Sequence, residues 1–182
     1  MSKKIILLAG ATASGKSKLA IKIAKKIKGE IINADSMQVY KELKILTARP
    51  LKKNFKKISH HLYGFQKSNK YFSTGDWLKI VTKKIVEIRK KNKIPILVGG
   101  TGLYFKALTE GLVEITSIPF KFRNKIRLLQ KSIGQEKFYK KLLKIDPLII
   151  NRISPTDAQR SIRAYEVKLF TKKSITEWQK ST

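Results

Sequence analysis

The chain contains no cysteine, so it has no disulfide framework, and its composition is silent on redox compartment. No apolar stretch approaches the ~20 residues a bilayer-spanning helix needs. The apolar run after Met1-Ser2-Lys3-Lys4 is short and flows straight into a glycine-containing loop, so it is not read as an export signal. A soluble cytoplasmic protein with no membrane partner is expected. Acidic residues are scarce, 12 against 41 Lys and Arg, for a net charge of +29. A chain this basic accumulates on polyanions, nucleic acid first among them. A general lysine bias would coat the surface in the same way. The excess is spread, with 25 basic and 7 acidic residues in 1–120 and 16 and 5 in 121–182. Charge therefore supports an RNA or DNA partner without locating it. Internal repeats are absent, and 182 residues, 42% of them hydrophobic, suffice for one or two small domains.

The most informative stretch is Gly10-Ala11-Thr12-Ala13-Ser14-Gly15-Lys16-Ser17. It follows the apolar run Ile5-Ile6-Leu7-Leu8-Ala9 and opens a helical pattern over 18–28. This is G-x-x-x-x-G-K-[ST] in a strand–loop–helix setting, a phosphate cradle. Gly10 and Gly15 permit backbone angles that let successive N–H groups point inward. The following helix presents the positive end of its dipole to the same anion. Lys16 supplies a mobile cation and Ser17 a hydroxyl ligand for Mg²⁺, the one cofactor expected.

Gly29 is read as the residue closing the first helix. A buried strand over 30–34 ends at Asp35-Ser36, and residues 37–46 are ambiguous. Ser73-x-x-Asp76 has capping-box spacing before a long helix with Trp77, Ile80, Val81, Ile85 and Ile88 on one face. A second buried strand over 94–98 runs into Gly99-Gly100-Thr101-Gly102, then a helix over 103–109. Alternating strands and helices imply a parallel sheet covered on both faces. Ligands of such sheets sit beyond the carboxyl ends of the strands, where the cradle, Asp35 and Thr101 all lie. From Val113 the strands stop, and helices are predicted over 120–133, 136–145 and 156–172, with a capping box at Ser174-Ile175-Thr176-Glu177 starting one more. The domains expected are an α/β core over 1–112 and a helical region over 113–182.

Phosphoryl-transfer ATPases carry an acid at a core strand end, but Val98-Gly99-Gly100-Thr101 has none. Asp35 is the carboxylate at a strand end. It is either a cap or turn residue or a base facing the bound phosphate. Thr101 either caps the next helix or reaches phosphate or acceptor. His60-His61 is read as structural rather than metal-binding. Gln159-Arg160-Ser161-Ile162-Arg163 puts two guanidiniums on one helix face, either solvated or contacting a nucleic-acid backbone.

Several stretches together resemble the tRNA dimethylallyltransferases (isopentenyl-tRNA transferases). They are the cradle, Asn33-Ala34-Asp35-Ser36-Met37-Gln38-Val39-Tyr40, Thr47-Ala48-Arg49-Pro50, His60-His61-Leu62, Pro95-Ile96-Leu97-Val98-Gly99-Gly100-Thr101-Gly102-Leu103-Tyr104 and Asp157-x-Gln159-Arg160-x-x-Arg163-Ala164-x-Glu166-Val167. The resemblance implies a P-loop NTPase-like α/β fold with a helical insertion. It also implies transfer of a dimethylallyl group from dimethylallyl diphosphate to the exocyclic amine of the adenine next to the anticodon of tRNA; a monomer is expected. It assigns Asp35 and Thr101 to catalysis, with Asp35 as general base, and residues Gly10 to Ser17 to the diphosphate. Asp35, Ser36, Met37, Gln38, Thr101, Arg123, Gln159, Arg160, Ser161, Ile162 and Arg163 match tRNA-contacting positions. Ala11 stands where the family usually has Pro, and Ser17 where it often has Thr. The family runs on for about another third, including an arginine on the diphosphate, so this sequence is expected to be C-terminally shortened. The competing readings are a P-loop small-molecule kinase and a non-catalytic RNA-binding remnant.

Overall fold

A computed structural model describes residues 4–55 and 58–180. The chain divides into two compact units, residues 1–111 and 112–182.

The first unit alternates strand and helix: β1 (Ile6–Ala9), α1 (Lys16–Ile27), β2 (Gly29–Asn33), a 3-10 turn at Lys52–Phe55, β3 (His60–His61), α2 (Thr74–Lys90), β4 (Ile94–Gly99) and α3 (Gly102–Glu110). All pairings in the four-stranded sheet are parallel, in the order β1-β4-β2-β3. Leu8 lies beside Val98 and Ile32 beside Leu97 in the ladder. Successive side chains of a strand point to opposite faces, and both faces here are covered, so β2 and β4 read as unbroken apolar runs. Ile31, Ile96 and Val98 pack under Ala20 and Ala24 of α1. Ile32 and Leu97 pack on the other side with Trp77, Val81, Ile85 and Ile88 of α2 and Tyr104 of α3. Trp77 stacks on Tyr104 with ring centroids 4.1 Å apart, and its indole N–H donates to the Asn33 carbonyl at 3.2 Å.

Local signals account for most boundaries. Ser73 caps α2 in a full capping box: its hydroxyl accepts from the Asp76 N–H, and the Asp76 carboxylate accepts from the Ser73 N–H. One expectation is corrected at the end of α1, where Lys28, not Gly29, takes the left-handed conformation (φ 53°). Gly29 already belongs to β2, and a Cβ there would sit 2.7 Å from the Ile96 side chain. Residues 37–46 form turns, with an isolated bridge between Tyr40 and Gln66. Strand β3 was not legible from pattern: two residues carry no periodicity.

His61 of β3 donates from Nε2 to the Glu30 carboxylate at 2.6 Å, and Lys93 donates to its other oxygen at 2.6 Å. Burial pushes the Glu30 carboxyl up, but the hydrogen bonds from Lys93 and His61 outweigh it and hold the group below its ordinary value. A carboxyl with a lowered folded-state pKa stabilises the fold above its unfolded pKa, near 4.5, and that contribution disappears as pH falls through the folded value. Acid unfolding of Glu30→Gln should therefore lose part of the pH dependence below about 4.5. Superimposable acid titrations of both proteins, followed by circular dichroism, would contradict this role. His60 is also structural, with Nδ1 2.8 Å from the Ile58 carbonyl and its ring stacked on Phe55.

The second unit is helical: α4 (Phe120–Ile133), α5 (Gln135–Ile145), a 3-10 turn at Pro147–Ile149, α6 (Ala158–Thr171) and α7 (Ile175–Lys180). Ile126, Phe138, Leu142, Ile149, Ala164 and Tyr165 form its core. Helix α6 starts two residues later than its pattern suggests, because Asp157 is the cap and accepts from the Arg160 N–H at 2.9 Å. The capping box at Ser174 is half made. Its N–H donates to Glu177 at 2.6 Å, while its hydroxyl accepts from the Thr176 N–H and donates to buried Asp146. Among the described residues no helix is long and apolar enough to cross a membrane.

Candidate phosphate-binding site

At the carboxyl ends of β1, β2 and β4 three chain segments meet. The Gly10 N–H donates to the Gly99 carbonyl at 3.3 Å, the Ala34 N–H to the Val98 carbonyl at 2.8 Å, and the Thr101 N–H to the Ala34 carbonyl at 3.3 Å. A Cβ on Gly99 would lie 2.0 Å from the Ala34 carbonyl oxygen, so only glycine admits this approach.

The cradle turns through left-handed backbone at Ala13 (φ 64°) and Gly15 (φ 79°) before entering α1. No acidic residue occupies the first turn of α1, which leaves the positive end of its dipole unopposed from within the helix. The Lys16 ammonium folds back onto the cradle, donating to the Ala11 carbonyl at 2.6 Å. An open cavity of about 300 Å³ adjoins these residues, lined by Thr12 through Lys18 together with Asp35, Gln38, Thr47, Ala48, Tyr63, Val98 and Gly99. It thus joins a cationic, N–H-rich wall to one carboxylate.

Asp35 is a turn residue, and it also lines the cavity. Its Oδ1 accepts from the Met37 and Gln38 N–H groups at 2.9 and 3.3 Å, a turn-capping arrangement. Oδ2 takes no part in that turn and lies on the Gly100 side. Thr101 stands at the start of α3 but makes no side-chain cap. Its hydroxyl instead accepts from the Ser36 N–H at 2.9 Å and donates to the Ser36 hydroxyl at 3.3 Å, tying the Asp35 segment to β4. The Gln38 amide donates to the Thr47 carbonyl at 2.9 Å, and Met37 is half exposed.

Pattern reading missed other parts of this site. Asn33 is wholly buried. Its side-chain NH₂ donates to the Asp35 and Leu62 carbonyls, and its Oδ1 accepts from the Asp35 N–H, so it fixes the backbone that carries the carboxylate. Burial, and then the charge of Asp35, push the Tyr63 phenol far above its ordinary value, so it faces the cavity as a neutral hydroxyl. Thr47 and Ala48 reach the wall through a loop held by Arg49, which donates to the Tyr40 and Lys41 carbonyls. The signal for these residues was a polar Asn ending an apolar strand and a Thr-Ala-Arg-Pro run without periodicity.

In the second unit, Arg123 donates from Nε to buried Glu166 at 3.2 Å, Arg163 approaches the same oxygen at 3.5 Å, and Arg127 stands 3.9 Å from the other. Arg160 pairs with Asp157 at 2.8 Å. Ser161 is buried and hydrogen-bonded to the Asp157 carbonyl, and Ile162 packs at the edge of the core. Gln159, Arg160 and Arg163 remain on the solvent side.

A sequence model of the IPP transferase family matches residues 38–182. The tRNA dimethylallyltransferase of Pelagibacter ubique (strain HTCC1062) is 66% identical over 175 residues, 96% of this chain and 56% of that protein. The chain belongs to the tRNA dimethylallyltransferase family. The enzyme of the same name from Rickettsia massiliae (strain Mtu5) is 49% identical over 97% of this chain and 49% of its own length. A crystal structure of a eukaryotic dimethylallyltransferase acting on tRNA superposes with a TM-score of 0.79 at 33% identity, over 99% of this chain and 44% of that one. The tRNA isopentenylpyrophosphate transferase of Bacillus halodurans gives 0.61 at 34% identity, over 93% and 56%. The chain thus spans about half the length of the tRNA dimethylallyltransferases it matches. Its fold is the P-loop NTPase-like α/β fold of these transferases.

Proposed function

We propose that the chain transfers a dimethylallyl group from dimethylallyl diphosphate to the exocyclic amine of the adenine next to the anticodon of tRNA. The observation that carries this reading is the cavity shared by the phosphate cradle and Asp35. The cradle N–H groups and Lys16 hold the diphosphate, which needs no covalent help to leave. The adenine nitrogen attacks the allylic carbon and forms the new C–N bond. The C–O bond breaks, and the diphosphate departs with the electron pair. Asp35 takes the amine proton. Asn33, Ser36 and Thr101 hold that carboxylate in place, and Gln38 fixes the neighbouring loop. The base must leave its stack to enter, which costs least in a loop.

Magnesium fits this donor set in a limited way. Ser17 offers a hydroxyl, and the described residues hold no cluster of three or more His, Cys, Asp or Glu, so the ion would be bound chiefly by diphosphate oxygens and water. It would supply charge neutralisation on the leaving group.

Lys16→Ala removes the one mobile cation of the cradle. A charge-assisted contact is worth about 1.5–3 kcal/mol, so diphosphate affinity should fall roughly 10- to 100-fold. Calorimetric titration with dimethylallyl diphosphate, and with ATP as comparison, checks this. Equal affinity of both proteins would remove Lys16 from the site, and preference for ATP with phosphoryl transfer would favour a kinase.

A further inference from the structure

We propose that Tyr63 is a further catalytic residue, whose hydroxyl donates a hydrogen bond to an oxygen of the leaving diphosphate and steadies the charge that builds there. The proposal rests on the transfer reading above. The diphosphate takes the electron pair of the breaking C–O bond, and the phenol keeps its proton throughout. Tyr63 lines the cavity together with the cradle and Asp35. Its ring packs against the cluster of Ala20, Ala24, Ile31, Ile96 and Val98, on the side of the sheet that α1 covers. It lies 5.9 Å from the His60 ring and 6.3 Å from that of Phe55. The phenol and the anion-facing end of α1 are therefore on one side of the sheet. Among the described residues the Tyr63 hydroxyl has no hydrogen-bond partner, and Asp35 acts on it through charge alone. A half-buried O–H left uncommitted beside a cationic, N–H-rich wall is a donor ready for a ligand oxygen.

The backbone on either side of Tyr63 is fixed to the Asp35 segment. Leu62 takes a left-handed conformation (φ 61°), uncommon for a bulky side chain, and its carbonyl accepts from the Asn33 side-chain NH₂ at 3.1 Å. Gly64 is left-handed as well (φ 56°), and its N–H donates to the Gln38 carbonyl at 2.9 Å. Asn33 and Gln38 flank Asp35 in the chain, so one network places both the base and the phenol. Left-handed turns on both sides of one residue mark a position that its surroundings determine, as a functional side chain requires. Burial and the Asp35 charge keep the phenol protonated, and a diphosphate adds charge of the same sign, so the group stays a donor.

The test is calorimetric titration with inorganic diphosphate and Mg²⁺, beside single-turnover transfer to an anticodon stem-loop. Tyr63→Phe removes the hydroxyl and keeps the ring in its packing. It should weaken diphosphate binding about 10-fold or more, as the loss of a hydrogen bond to a charged group does. Transfer at saturating dimethylallyl diphosphate should slow by about 10²-fold, because a donor aimed at developing charge counts most in the transition state. Tyr71→Phe, on an exposed ring that does not line the cavity, should alter neither. Circular dichroism checks that both variants fold as the unaltered chain does. If the unaltered chain binds diphosphate and transfers the dimethylallyl group while Tyr63→Phe binds diphosphate equally well, the hydroxyl is no diphosphate ligand. The proposal is then overturned, and the transfer reading stands. If the unaltered chain binds no diphosphate, the transfer reading fails, and this proposal with it.

Discussion

Replacing Asp35 by Asn is expected to slow dimethylallyl transfer by about 10²–10⁴-fold, the usual worth of general-base help, while diphosphate binding is retained or tightened. The amide oxygen of Asn can still accept from the Met37 and Gln38 N–H groups that Oδ1 now serves, so the turn survives the change. The Asn33 side chain bonds the backbone carbonyl and N–H of residue 35, not the carboxylate, so these contacts survive too. What disappears is a negative charge at the cavity wall, together with the one carboxylate that lines it among the described residues. Losing the charge relieves repulsion of diphosphate, and losing the carboxylate costs proton abstraction. Single-turnover transfer to an anticodon stem-loop reads the rate, and calorimetry with dimethylallyl diphosphate reads the binding. An unchanged rate would leave Asp35 as a turn residue alone, and lost diphosphate binding would mean that the substitution had disturbed the cradle.

The split between what could and could not be read beforehand follows the range of each interaction. The cradle, the Ser73 cap, the apolar faces of α2 and the position of Asp35 are local. Their signals lie within a turn or a strand, and the structure places them as the pattern implies. Thr101 shows where that ends. A Thr before a helix is a cap on local grounds, yet its hydroxyl is committed to Ser36, 65 residues away in the chain. The same holds for Glu30, whose partners His61 and Lys93 are 31 and 63 residues distant. No spacing rule brings Tyr63 or Thr47 to the cavity, because each arrives on a loop whose course is set by tertiary contacts such as those of Arg49 and Asn33. The shift of the left-handed residue from Gly29 to Lys28 has a related cause: the close approach of Ile96 claims the glycine for β2.

Glu166 gives the same lesson its largest energetic consequence, through Arg123. The family resemblance assigns Arg123 to tRNA, but its Nε–H donates to a carboxylate that is only 1% exposed. That carboxylate already has one oxygen, Oε1, buried without a hydrogen bond. Removing one partner of a buried ion pair typically costs about 3–5 kcal/mol, because the remaining charge is stranded. Arg127 and Arg163 still flank Glu166 at 3.9 and 3.5 Å and soften the loss, so Arg123→Ala should destabilise the chain by about 3 kcal/mol, the low end of that range. Adding Glu166→Gln neutralises the stranded charge and should restore most of the stability. Urea unfolding followed by circular dichroism measures both steps, and the same proteins can be assayed for stem-loop RNA binding. If Arg123→Ala unfolds early and the double variant recovers stability and RNA binding together, Arg123 acts by holding the helical unit. If stability is unchanged in the single variant and RNA binding alone is lost, the pair with Glu166 carries no weight and Arg123 meets the RNA directly. Recovery of stability without recovery of binding would show both roles in one side chain.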